Sequence, residues 1–161
     1  MKTLKTFAIV GMALTALGAH AENATLGSLS IDRGSAPSAT LGKLSRADGD
    51  SFRITGIFSN FAWSVLAGTR IPKAQVGSVY VTIRAKKVRG IALLSMFNVT
   101  TNRWQSVRTL PFPTDTFGYA TTAVTDHASD FVGNGGKIRV KVDSILPGSM
   151  HFDYLNIRVE R

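Results

Sequence analysis

Lys137-Ile138-Arg139-Val140-Lys141-Val142-Asp143 decides the fold, because aliphatic residues there alternate strictly with charged ones. Period two is the mark of a β-strand, whose successive side chains leave opposite faces. One face of this strand is oily and has to be covered. The other carries Lys137, Arg139, Lys141 and Asp143 into water, as in an antiparallel sheet wet on one side. The same rule holds at 79–86, where Val79, Val81, Ile83 and Ala85 alternate with Tyr80, Thr82, Arg84 and Lys86. It holds again at the end of the chain, where Leu155, Ile157 and Val159 alternate with Asn156, Arg158 and Glu160.

Less regular strands lie between these. Phe52, Ile54 and Phe58 share a face; Trp63–Leu66 is short; Ile91–Phe97 is nearly continuous apolar; Arg103–Leu110 and Tyr119–Thr125 are rich in β-formers. Turn residues recur at Asp48-Gly49-Asp50, Gly68, Gly77, Gly90, Pro111-Phe112-Pro113, Gly133–Gly136 and Pro147-Gly148. Only His127–Val132 suits a helical turn. Eight or so strands at this spacing predict an all-β protein, an antiparallel two-sheet β-sandwich.

The N-terminal segment is an address. Lys2 and Lys5 precede an apolar run from Phe7 to Leu17, and Ala19-His20-Ala21 has the small-x-small form of a cleavage site. Residues 1–21 therefore read as a cleaved signal peptide of bacterial appearance, with the run too short to cross roughly 30 Å of hydrocarbon. The protein is expected to be exported, to periplasm or exterior, with no transmembrane segment. Residues 22–161 form one domain, its 22–51 stretch (rich in Gly, Ser, Ala and Thr, with one short strand at Leu26, Leu29 and Ile31) in part mobile. The chain has 161 residues, a net charge of +9 and no cysteine, which excludes disulfides, thiol nucleophiles and cysteine metal sites.

From about Gly77 onward the chain resembles the galactose-binding-like jelly roll of bacterial carbohydrate-binding modules. The residues that carry the resemblance are Val79–Ala85, the hairpin Leu93–Trp104 (LLSMFNVTTNRW), Ala128–Val132 followed by Gly136–Val142, and His151-Phe152-Asp153-Tyr154-Leu155 opening the last strand. The resemblance implies a jelly-roll fold and a glycan-binding function.

The residues themselves point the same way. Arg84 and Lys86 face outward on one strand, Arg139 and Lys141 on another; if one sheet holds both strands, its outer face is a single positive patch. Such a patch attracts acidic polysaccharide or phosphate-rich surfaces. Tyr80 shares the Arg84 face and can stack on a sugar. Trp63, after Asn60, and Phe117, beside Pro113–Thr116, are candidate loop aromatics for ligand. Nucleic acid is a poor candidate partner for an exported protein. The bland alternative is a solvated face whose lysines discourage edge pairing.

No catalytic residues are expected. Asp126, His127, Ser129 and Asp130 are neighbours in sequence, and neighbours rarely face one another as base and nucleophile must. Asp153 shares the parity of Leu155 and should lie near the core edge, bonded to amides or an arginine. With His151 it could alternatively ligate a metal. No cofactor is expected beyond a structural calcium, which oxygens of Asp50, Asp153 or Asp48 could hold. The leading reading is an exported, non-catalytic binding module for a glycan or anionic polysaccharide. A structural protein pairing through a sheet edge comes second, a small secreted hydrolase third.

Overall fold

The computed structural model describes residues 20–56 and 60–161. Apart from His20 and Ala21, the signal segment lies outside the described residues. So does Phe58.

Among the described residues, ten strands follow in order: β1 (Ala21–Asn23), β2 (Thr25–Arg33), β3 (Phe52–Gly56), β4 (Ala62–Gly68), β5 (Ser78–Arg89), β6 (Ala92–Asn98), β7 (Arg103–Leu110), β8 (Gly118–Val124), β9 (Lys137–Ser144) and β10 (Gly148–Glu160). Among the described residues there is no α-helix, only short 3-10 turns such as Leu41–Leu44 and Ala128–Phe131, the second inside the stretch expected to turn. The strands form two five-stranded antiparallel sheets. Sheet one runs β1-β10-β5-β8, with β3 also on β10; sheet two runs β2-β4-β9-β6-β7.

Alternation does what the sequence implies. Val79, Val81, Ile83 and Ala85 of β5 and Leu155, Ile157 and Val159 of β10 are buried from sheet one; Ile138, Val140 and Val142 of β9 meet them from sheet two. Each fully buried aliphatic or ring contributes about 1.5–3 kcal/mol. At the centre, the Phe152 ring has Trp63 at 5.1 Å, Phe52 at 5.8 Å, Phe112 at 6.1 Å and Phe61 at 6.3 Å, mostly edge to face.

The short strand expected at Leu26, Leu29 and Ile31 is β2, which pairs with β4 over Thr25–Arg33, and β1 pairs with β10. One expectation needs correction: β5 and β9 belong to different sheets. Arg84 and Lys86 therefore face out on one side of the sandwich and Arg139 and Lys141 on the other, so the single positive patch does not exist. Alternation separates inside from outside within a strand and carries no information about which strand pairs with which. In β10, Asp153 is buried on the side of Leu155 as its parity implied, and the strand is irregular just before Tyr154. Phe152 stands opposite Ala85 and Tyr154 opposite Arg84, with a register shift between them. Asp153 is the extra residue, so Phe152 takes an inward place as well.

Candidate functional site

The outward face of sheet one is ordered in cross-strand rows. Tyr154 of β10, Arg84 of β5 and Tyr119 of β8 form one row; Asn156, Thr82 and Thr121 form the next; Arg158, Tyr80 and Ala123 the third. Rows are about 7 Å apart, two residues of strand rise.

The first row is the most organised. Tyr119 and Tyr154 lean together over the arginine, ring centroids 6.3 Å apart and nearly perpendicular. The Arg84 guanidinium lies 4.7 Å from the Phe117 centroid and 5.6 Å from that of Tyr119; the Lys86 ammonium lies 5.0 Å from Phe117. Phe117 is placed there because the preceding loop is stitched to the end of β5: Lys87 N–H donates to the Pro113 carbonyl at 2.8 Å and Asp115 N–H to the Lys87 carbonyl at 3.2 Å. Tyr119 is 61% exposed, so one ring of the cluster is open to a ligand. Thr82 and Thr121 hydroxyls bond across the second row at 3.0 Å. Tyr80 meets Arg158 at 6.0 Å in the third row, apart from the cluster.

Asp153 anchors this row from below. Its carboxylate is fully buried, accepts from the Arg84 guanidinium and takes the Gly49 N–H at 3.2 Å. Gly49 reaches it from a turn with φ +89°, a backbone conformation open to glycine. Burial pushes the Asp153 carboxyl above the usual carboxylate range, and Arg84 pulls it back. Beside Tyr154, in the gap between β3 and β1 along the β10 edge, lies a groove of about 420 Å3 whose lining includes Asn156, Asn23, Leu26 and Leu41.

Several predicted site residues fall elsewhere. Trp63 is no loop aromatic: it lies in β4, fully buried, its ring 5.9 Å from Phe52. Of the two expected calcium ligands, Asp153 takes both of its N–H donors on Oδ2, and the exposed Asp50 carboxylate pairs with Lys43 at 3.0 Å. His151 stands between Arg53 and Lys86, cations that repel a metal and, after burial, hold its pKa below the usual value. Among the described residues no three His, Asp or Glu side chains are grouped to hold an ion. Ser51 does touch His151 at 3.4 Å, yet the neighbouring carboxylate of Asp153 is turned to Arg84 and Gly49, so no acid orients that ring as in a triad. The sequence reading missed Tyr119 and Tyr154. Alternation with Asn156 and Arg158 marks Tyr154 as outward, but only the pairings of β5 with β10 and with β8 bring Tyr154 and Tyr119 to Arg84.

The opposite face has its own cluster. Phe97 of β6 and Trp104 of β7 are cross-strand partners with centroids 5.5 Å apart. The Arg139 guanidinium lies 4.4 Å from Phe97 and 5.1 Å from Trp104; Lys141 lies 5.1 Å from Trp104 and pairs with Asp143 at 3.3 Å.

Solved structures resemble this sandwich. A family 29 carbohydrate-binding module from Piromyces equi superposes with a TM-score of 0.51 at 12% identity, over 88% of this chain and 91% of that one. The fold is a jelly roll. It is the kind that the sequence resemblance implied. The enzymatically active domain of tailspike protein 4 of bacteriophage CBA120 also matches, with a TM-score of 0.51 and 10% identity, over 88% of this chain and 19% of that one. A family 61 carbohydrate-binding module solved with β-1,4-galactotriose matches with a TM-score of 0.47 and 13% identity, over 81% and 86%. No protein-family model matches the chain, and no curated protein does.

Proposed function

We propose that the chain is an exported, non-catalytic glycan-binding module that takes its ligand on the outward face of sheet one. The observation that carries this reading is the row Tyr154–Arg84–Tyr119, with Phe117 and Lys86 packed against it. Sugars offer apolar C–H faces that stack on rings and hydroxyls that need donors and acceptors. Tyr119 supplies an exposed ring, Tyr154 a half-buried one, and Lys86, Asn156, Thr82 and Thr121 supply polar contacts beside them. Arg84 is held by the buried Asp153, so the row is preorganised and loses little side-chain entropy on binding. The likeness in fold to a carbohydrate-binding module supports the same reading.

The test is a glycan array probed with residues 22–161, wild type and Tyr119→Ala. One stacking ring is worth about 1–3 kcal/mol by analogy with rings under bases. The expected result is binding to a defined subset of glycans, weakened roughly tenfold or more by Tyr119→Ala. Equal binding by both proteins overturns the site.

A further inference from the structure

The outer face of sheet two carries cations in a different arrangement. Arg84 and Arg158 on sheet one are each paired with a carboxylate, Asp153 and Glu160. Arg139 is exposed and has no carboxylate partner among the described residues, which include every Asp and Glu of the chain. It is nevertheless held in place, its guanidinium packed on both Phe97 and Trp104. A guanidinium held against rings that accept no hydrogen bond from it in the plane keeps N–H groups for an oxyanion, and its fork matches the two oxygens of a carboxylate or sulfate.

The surroundings match an anion in charge. Lys137 and Lys141 share the outward side of β9 with Arg139, and across β4 stands the uncharged Leu66. Asp143 pairs with Lys141, and Asp32 bonds to Ser64 across from Lys141, so the carboxylates stand at the end far from Lys137. The rings also discriminate between polyanions. Single-stranded nucleic acid is held by bases stacking on free aromatic faces. Here cations already cover Phe97 and Trp104, leaving charge recognition. We infer that the Arg139–Phe97–Trp104 cluster is a second binding site, for the carboxylate or sulfate groups of an acidic polysaccharide. The sandwich then has ligand faces on opposite sides and can bridge two polymer chains. This site lies on the other sheet from the one proposed above, so each can fail without the other.

The test is the salt needed to elute residues 22–161 from immobilised heparin and from polygalacturonate. Probes are wild type, Arg139→Gln, Arg139→Lys and, as a charge-matched control off this face, Lys73→Gln. Losing a charge-assisted contact should weaken binding roughly tenfold. Arg139→Gln is expected to elute well before Lys73→Gln on at least one resin. Arg139→Lys should fall between it and wild type, since the charge stays and the fork goes. Melting midpoints check that the surface substitutions leave the fold intact. Elution of Arg139→Gln together with Lys73→Gln overturns the site, because overall charge then explains retention. Tighter, Arg139-dependent retention on oligothymidylate than on either polysaccharide overturns the ligand class.

Discussion

Asp153 and Arg84 are coupled across the boundary between core and binding face, and a double-mutant cycle should show it. Asp153→Ala leaves a cation with only about a fifth of its side chain in water. Removing one member of a fully buried pair costs about 3–5 kcal/mol. Arg84 keeps that exposure and its Phe117 contact, so the expected loss is about 2–3 kcal/mol. Arg84→Met is harsher, because a carboxylate with no exposure then keeps only the Gly49 N–H; about 3–4 kcal/mol is expected at pH 7. The double variant should lose about 2 kcal/mol less than the sum of the singles. pH separates the singles further. In Arg84→Met the opposing charge is gone, so burial raises the folded carboxyl further above its unfolded value near 3.8. That group's stabilising influence is present below 3.8 and disappears as pH climbs through the folded value, so the deficit of Arg84→Met should shrink from pH 7 toward pH 4. Urea titrations with constant slope supply the four free energies at each pH. Singles that add to within about 0.5 kcal/mol, or a pH-independent deficit for Arg84→Met, refute the coupling.

Three other outcomes are expected. His151, held below its ordinary 6.5 by burial and then by Lys86 and Arg53, contributes stability above pH 6.5 that is lost as pH falls through its folded value; His151→Gln should therefore lose less stability than wild type between pH 7.5 and 5 in urea titrations. Phe152→Ala, at the meeting point of four rings, should cost about 3–5 kcal/mol, and Phe152→Leu less than half of that, both read from urea midpoints. Export from a bacterial host should yield a chain beginning at Glu22 by mass; that residue can stay in place, since its carboxylate accepts from Arg70 N–H at 2.7 Å and Thr69 Oγ at 3.1 Å.

The amino-acid sequence by itself determined which side chains are oily inside and which stand in water. Alternation along β5, β9 and the second half of β10 is a local property of the extended backbone, and an antiparallel two-sheet sandwich follows from enough such strands. Three decisions were left to tertiary structure. The sheet to which a strand belongs is set by hydrogen bonds between distant segments, such as β4 with β9, so one imagined basic patch became two opposed faces. A single extra residue at Asp153 put Phe152 into the core as well, while the pairing of β10 with β5 set Tyr154 beside Arg84. Trp63 and Phe117 have similar loop-like surroundings in the sequence, and packing sent one to the centre of the core and the other beneath the cations of the surface. Side-chain period is a two-residue signal, whereas partners, bulges and buried rings depend on contacts that close only when the whole chain has folded.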